Sequence, residues 1–175
     1  MKALTLKHPW AWAICFLGKD IENRRWHPPA SLIGRHFAIH GGVIPKSRYD
    51  LDDVREEAAG LAVEFGVGPE VTLADACMTG IVAVVRLAGV VTQSESTWFE
   101  GPFGWQLDDL VVLREPIACK GAQGLWDVPE EHVAGMRRQW CAVVGRTWNS
   151  RSVEAGTVRD ATSKAIEGEG DKGTS

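Results

Sequence analysis

No stretch of the chain approaches the roughly 18 consecutive apolar residues that a membrane-spanning helix requires. The opening "MKALTLKHPW" also lacks the long apolar segment of a secretory leader. A cytoplasmic protein with no membrane partner is therefore expected. Cysteine is sparse: Cys15, Cys77, Cys119 and Cys141 lie far apart and none stands in a CxxC pair. That spacing disfavours a zinc knuckle and points to reduced, mostly buried thiols without a disulfide. There is no Gly-rich phosphate loop, GxSxG elbow, HExxH pair or internal repeat, so the common motifs of nucleotide, ester and zinc-dependent hydrolysis do not apply. His36 and His40 would share one face of a strand, but no third ligand follows at a recognisable spacing. Neither a metal nor a cofactor is expected.

What is present suits one folded body. The chain has 175 residues, 45% of them hydrophobic, enough for one core and short for two. A net charge of -4 argues against a generally basic nucleic-acid binder, yet the charge is unevenly placed. Residues 1–48 hold eight Lys/Arg against two acids, whereas residues 49–145 hold six against sixteen. A local positive face attracts phosphate whatever the total charge, because salt screens interactions beyond about 8 Å.

Periodicity supplies the elements. "KALTL" alternates as a short strand, and a short helix is expected from Pro9 to Leu17, with proline in its first turn and Gly18 at its end. "KDIENR" reads as an extended strand or turn and "GRHFAIH" as a second strand. Across residues 47–66, Leu51, Val54, Ala58, Leu61, Ala62 and Phe65 recur at helical spacing, with acids on a face expected to be solvated. "TGIVAVVRLAGVV" is the candidate central buried strand, and "FGWQLDDLVVLREP" is another, bent near Asp108 and Asp109. Between them "TQSESTWFEGP" reads as a loop with exposed aromatics, and "GLWDV" as a further strand. "PEEHVAGMRRQWCAVVG" has acids at its start and bases toward its end, as a helix dipole favours. After Gly145 the sequence turns small and polar, so a folded domain over 1–145 and a disordered tail over 146–175 are expected. Strands outnumber helices without βαβ alternation, which predicts a mixed α+β fold built on a small β-barrel.

The stretch "GKDIENRRW" crowds Lys19, Asp20, Glu22, Arg24 and Arg25 between an apolar helix and a tryptophan. In an extended segment alternate side chains share a face, so Glu22 and Arg24 project together and Asn23 faces away, with Lys19 brought alongside by a turn. Such a trio offers cationic donors to a phosphate or base oxygen and a carboxylate to a base amino group. The plainer alternative is an exposed ion pair on a solvated turn. In either case Lys19 and Glu22 are expected to stay out of the core. Of the eight tryptophans, Trp12, Trp126 and Trp140 are expected in the core. Trp10 and Trp26 flank the charged stretch, and Trp98, Phe99 and Phe103 lie in a loop; any of these five could stack on a base.

The ordered series "LTLKHPWAWAI", "GKDIENRRW", "GRHFAIH", "TGIVAVVRLAGVV", "GPFGWQL" and "CKGAQGLWDV", over roughly residues 3–128, resembles an ASCH domain, the module first described at the C-terminus of the activating signal cointegrator of transcription. The family's Gly-x-Lys-x-x-Glu-x-Arg signature is matched by Lys19, Glu22 and Arg24, with its first glycine displaced from position 17 to Gly18. The resemblance implies a PUA-like fold, a small β-barrel with flanking helices that typically binds RNA. It implies a ligand cleft around the trio, and Lys120, in a recurring "KG" pair with Gly121, is a further candidate.

Three functions follow. The first is a nucleic-acid-binding module that recognises a single-stranded or modified base, in RNA first of all, through Lys19, Glu22, Arg24, Trp10, Trp26 and Lys120. The second is an enzyme, since some ASCH proteins hydrolyse N4-acetylcytidine and others act as ribonucleases; Lys19 and Glu22 would then be catalytic. In the amidohydrolases a lysine, a threonine and a glutamate act together, but Glu22 stands at the threonine position and no glutamate occurs in "TGIVAVVRLAGVV". The third is a protein-interaction domain using its acidic helix and tail.

Overall fold

The computed structural model describes residues 1–68 and 70–145; the expected tail over 146–175 lies outside the described residues. Its centre is one six-stranded sheet made of β1 (Lys2–Leu6), β2 (Ile21–Arg24), β3 (His36–Gly41), β4 (Gly80–Val91), β5 (Phe103–Ile117) and β6 (Leu125–Asp127), in the order β2-β5-β4-β3-β1-β6. β1 and β3 run parallel and the other neighbours antiparallel. The sheet curls into a half-barrel, and among the described residues four helices join it: α1 (Trp10–Phe16), α2 (Arg48–Glu64), α3 (Leu73–Ala76) and α4 (Glu130–Val144). The fold is thus mixed α+β.

Both faces of the sheet are covered, which explains why β4 reads as a nearly unbroken apolar run rather than an alternating one. On one face Leu4, Phe37, Ile39, Val82, Val85, Leu87 and Trp105 pack with Ala11 and Ile14 of α1. On the other Ala3, Ala38, Ile81, Val84, Val111 and Leu113 pack under Val133, Met136 and Trp140 of α4. A third cluster lies on the far side of α1, where Trp12, Ala13 and Leu17 meet Val54, Ala58 and Ala62 of α2 and Ala76 of α3. Helix α1 is a wedge between sheet and α2, buried from Ala11 through Cys15, and its sequence is accordingly apolar all round.

The long strands bend where the sequence placed a polar pair. The β4–β5 register shifts at three points, and Asp109 takes φ 47, a left-handed conformation uncommon outside glycine. Arg86 pairs with Asp108 there, and His36 Nε2 lies 2.7 Å from Asp109 Oδ2. His36 is therefore spent on the bulge, well separated in role from His40.

Several expectations need correcting. Trp98 is buried at 8% exposure, so the loop before β5 does not display it. Trp126 is only half-buried and donates through Nε1 to Thr5 Oγ1 at 3.0 Å; an indole nitrogen needs such an acceptor once water is excluded. Among the described residues the most deeply buried tryptophan is Trp105. Helix α3 is an element beyond those expected, started by a reciprocal capping box between Thr72 and Asp75, which is a sequence signal in its own right.

Candidate ligand-binding cleft

The turn out of α1 sets the site. Gly18, at φ 69, reverses the chain so that the Lys19 amide returns to the Ala13 carbonyl at 3.2 Å. An L-residue there would be strained, which accounts for glycine at 18. Edge strand β2 then pairs with β5, Glu22 opposite Trp105 and Asn23 opposite Gly104.

Alternation along β2 divides its side chains as the sequence implies. Glu22 and Arg24 share a face, with Arg24 Nη2 2.9 Å from Glu22 Oε1. Asn23 points the other way and clamps the preceding loop: its Nδ2 donates to the Trp98 carbonyl at 2.8 Å, and its Oδ1 accepts from the Glu100 amide at 3.0 Å. Ser96 donates to Asp20 Oδ1 at 2.7 Å, tying the same loop to the turn. The loop thereby sets Trp98 beside Lys19, and Phe65 stacks on Trp98 with centroids 4.1 Å apart.

Lys19 and Glu22 are buried, at 5% and 7% exposure, contrary to the expectation that they would stay out of the core. The exposed ion pair on a solvated turn does not describe this stretch. Lys19 Nζ donates to the Ile21 carbonyl, lies 3.9 Å from Glu22 Oε2, and sits 5.2 and 5.3 Å from the ring centroids of Trp10 and Trp98. An ammonium between two indole faces gains cation–π attraction in place of part of its lost hydration. Burial still lowers the Lys19 pKa, opposed by the nearby Glu22, Glu100 and Asp20 carboxylates. Burial likewise raises the Glu22 pKa, opposed by Arg24 and Lys19.

Glu22 and Arg24 form part of the floor of a cleft of about 1460 Å³ that Trp10 and Lys120 also line. Four of the six candidate residues are thus brought to one cavity. Lys19 stands behind Glu22 rather than on the wall. Trp26 is elsewhere: it packs edge-on against Trp105 at 4.8 Å, and its carbonyl accepts from Trp105 Nε1 at 3.3 Å. The exposed Lys120 reaches the rim because Gly121 lets the loop close on the sheet. A Cβ at 121 would fall 2.6 Å from both Thr5 Oγ1 and His40 Cε1.

Three groups in the cleft were not anticipated. Asp50, Asp53 and Glu57 of α2 line the cleft, so part of the helix's acidic face is not merely solvated. Their spacing of three and four residues marks one helical face and was legible; that this face meets a cavity was not. His8 and His40, 6% and 3% exposed, also line the cleft. His8 Nε2 lies 3.1 Å from the Gly42 carbonyl and His40 Nε2 3.1 Å from the Cys119 carbonyl. A carbonyl only accepts, so each ring carries a proton on Nε2. Both Nδ1 atoms are closed off from solvent and without a hydrogen-bond partner, and the His8 ring also faces the Val43 and Ala76 carbonyls. Among the described residues no group of three His, Cys, Asp or Glu is arranged to hold a metal.

No protein-family model matches the chain, and a search of curated proteins finds no match either.

Proposed function

We propose that this chain is an ASCH-type, PUA-like module that binds a single-stranded or modified nucleobase, in RNA, in the cleft floored by Glu22 and Arg24. The carrying observation is the buried Glu22 carboxylate, fixed by Arg24 on one oxygen and faced by Lys19 on the other, at the floor of a cavity that also has an indole and a lysine on its walls. A carboxylate so fixed accepts from an amino or imino group on a base edge, Trp10 offers a face for stacking, and Lys120 meets phosphate at the rim. A cavity of this size takes a nucleotide-sized ligand.

Binding is favoured over hydrolysis by what Lys19 touches. Its ammonium is engaged by the Ile21 carbonyl, Glu22 and two indoles, and it stands behind the wall. A lysine that activates a nucleophile has to reach a hydroxyl or water in the cleft. Here Lys19 positions Glu22 instead. The deciding experiment incubates the full chain with modified nucleosides and short single-stranded oligonucleotides, following tryptophan fluorescence and product formation together. Saturable quenching without product is the expected result. Turnover that Lys19→Met abolishes would establish the amidohydrolase or ribonuclease alternative, and no quenching by any ligand would remove the base-binding assignment.

A further inference from the structure

We infer that a second base-stacking site, formed by Trp26 and the paired rings of His27 and Phe103, adjoins the cleft at Arg24 and takes the neighbouring base of a single strand. The inference rests on the proposed base-binding role and makes the ligand an oligonucleotide rather than a free nucleoside.

The strand register places the two sites side by side. Arg24, on the cleft floor, is the direct partner of Phe103 across β2 and β5. Directly opposed residues of an antiparallel pair send their side chains to the same face, with Cα atoms about 5 Å apart. Phe103 therefore stands next to Arg24, and His27 lies on it with ring centroids 4.2 Å apart. The chain leaving β2 also carries Trp26, which packs edge-on against the fully buried Trp105, two residues along β5 from Phe103.

These rings are not simply core. Trp26 is the one exposed tryptophan among the described residues, at 36%, while His27 is exposed and Phe103 half-buried. An indole left in water at a fixed position offers a stacking surface at little ordering cost, because Trp105 already holds it. The charge around the rings selects the guest. Residues 23–36 include three arginines and no acid, and Arg25 is exposed and enters no ion pair among the described residues. Aromatic rings set in a positive surface suit the bases of a polyanion, each of which has a π face, better than an apolar peptide segment. A strand with one base over Glu22 thus passes Arg24 and lays its next base on these rings.

The test is calorimetric titration of the full chain with the RNA trinucleotides AAA, CCC and UUU. Each is compared with three counterparts of the same length and charge that keep one base and are abasic at the other two positions. At least one full trinucleotide should bind about tenfold or more tighter than the best of its single-base counterparts, the scale of one stacked base. In Trp26→Leu/His27→Ala, which keeps an apolar cover on Trp105, that advantage should shrink to about threefold, the statistical factor of three registers, with single-base affinity retained. His27→Ala alone, at an exposed side chain, should lose about half of the advantage or more and serves if the double variant does not fold. Equal binding of full and single-base strands, or an advantage that the folded variants keep, would overturn the second site while leaving base binding in the cleft in place. Failure of every probe to bind would overturn both.

Discussion

Asn23 holds Trp98 over Lys19. The amide of one side chain meets the loop twice, giving a hydrogen bond to the Trp98 carbonyl at 2.8 Å and taking one from the Glu100 amide at 3.0 Å. Trp98 in turn places its ring 5.3 Å from the Lys19 ammonium. Asn23→Ala removes both bonds and leaves backbone groups unpaired, at about 1–3 kcal/mol for each group that water does not reach. The expected result is a lower denaturation midpoint with an unchanged slope, together with weaker ligand quenching. Unchanged stability would mean that the loop is held by other contacts.

Buried charge makes the trio's variants unequal. Glu22→Ala leaves Lys19 and Arg24 facing each other without their carboxylate, and breaking a buried pair from one side costs about 3–5 kcal/mol. Lys19→Met keeps most of the volume and leaves Glu22 bound to Arg24, so it should cost less. Chemical denaturation of the two variants decides the order, and a Lys19→Met protein less stable than Glu22→Ala would contradict it.

How much of this was legible depended on distance along the chain. The helices at 10–16, 48–64 and 130–144 and the sheet strands follow from local periodicity, as does the shared face of Glu22 and Arg24. Even the bend at Asp108 and Asp109 showed, because two acids interrupt an otherwise apolar strand. The burial of Lys19 did not. It needs Trp98, a residue far along the chain, and no local pattern carries that pairing. The same holds for α2, whose acidic stripe was visible while the cavity it borders is formed by β1, β3 and the loop after β5. Trp26 shows the converse error: nearness in sequence to the charged trio did not bring it to the cleft, because Trp105 offers its ring an apolar edge and its carbonyl an indole donor.

Stability should depend on pH at both ends of the range. Glu22 has a folded pKa above its ordinary 4.5, so between 4.5 and that raised value the native state holds the extra proton and stability falls as pH rises. Lys19 has a folded pKa below its ordinary 10.5. Between the lowered value and 10.5 the unfolded chain holds more protons, and stability rises with pH. Glu22→Gln should flatten the acidic limb and Lys19→Met the alkaline limb in pH-dependent urea titrations. Parallel profiles for parent and variants would place the titrating groups elsewhere.

Salt should weaken oligonucleotide binding only modestly. The exposed cleft lysines are Lys7 and Lys120, and two phosphate contacts on a single strand give a slope of log affinity against log salt of about −1.4. Lys120→Ala should reduce that slope by about 0.7. A slope several times steeper would mean that phosphates bind along another surface.

Gly121 gives the means to move Lys120 without changing its charge. An alanine Cβ would meet Thr5 Oγ1 and His40 Cε1, each at 2.6 Å, closer than real side chains approach, so the loop has to lift from the sheet. Thr5 already accepts from Trp126 Nε1, and His40 is tied to the Cys119 carbonyl, so neither neighbour yields without losing its own bond. Overpacking of this kind typically costs about 1–3 kcal/mol. Gly121→Ala should weaken oligonucleotide binding at least as much as Lys120→Ala, since it shifts both the lysine and the His40 side of the wall, while its far-ultraviolet circular dichroism stays native. Affinity equal to the parent in Gly121→Ala, with Lys120→Ala impaired, would show that the lysine reaches its phosphate from a displaced loop and that the close seat of Gly121 serves the fold alone.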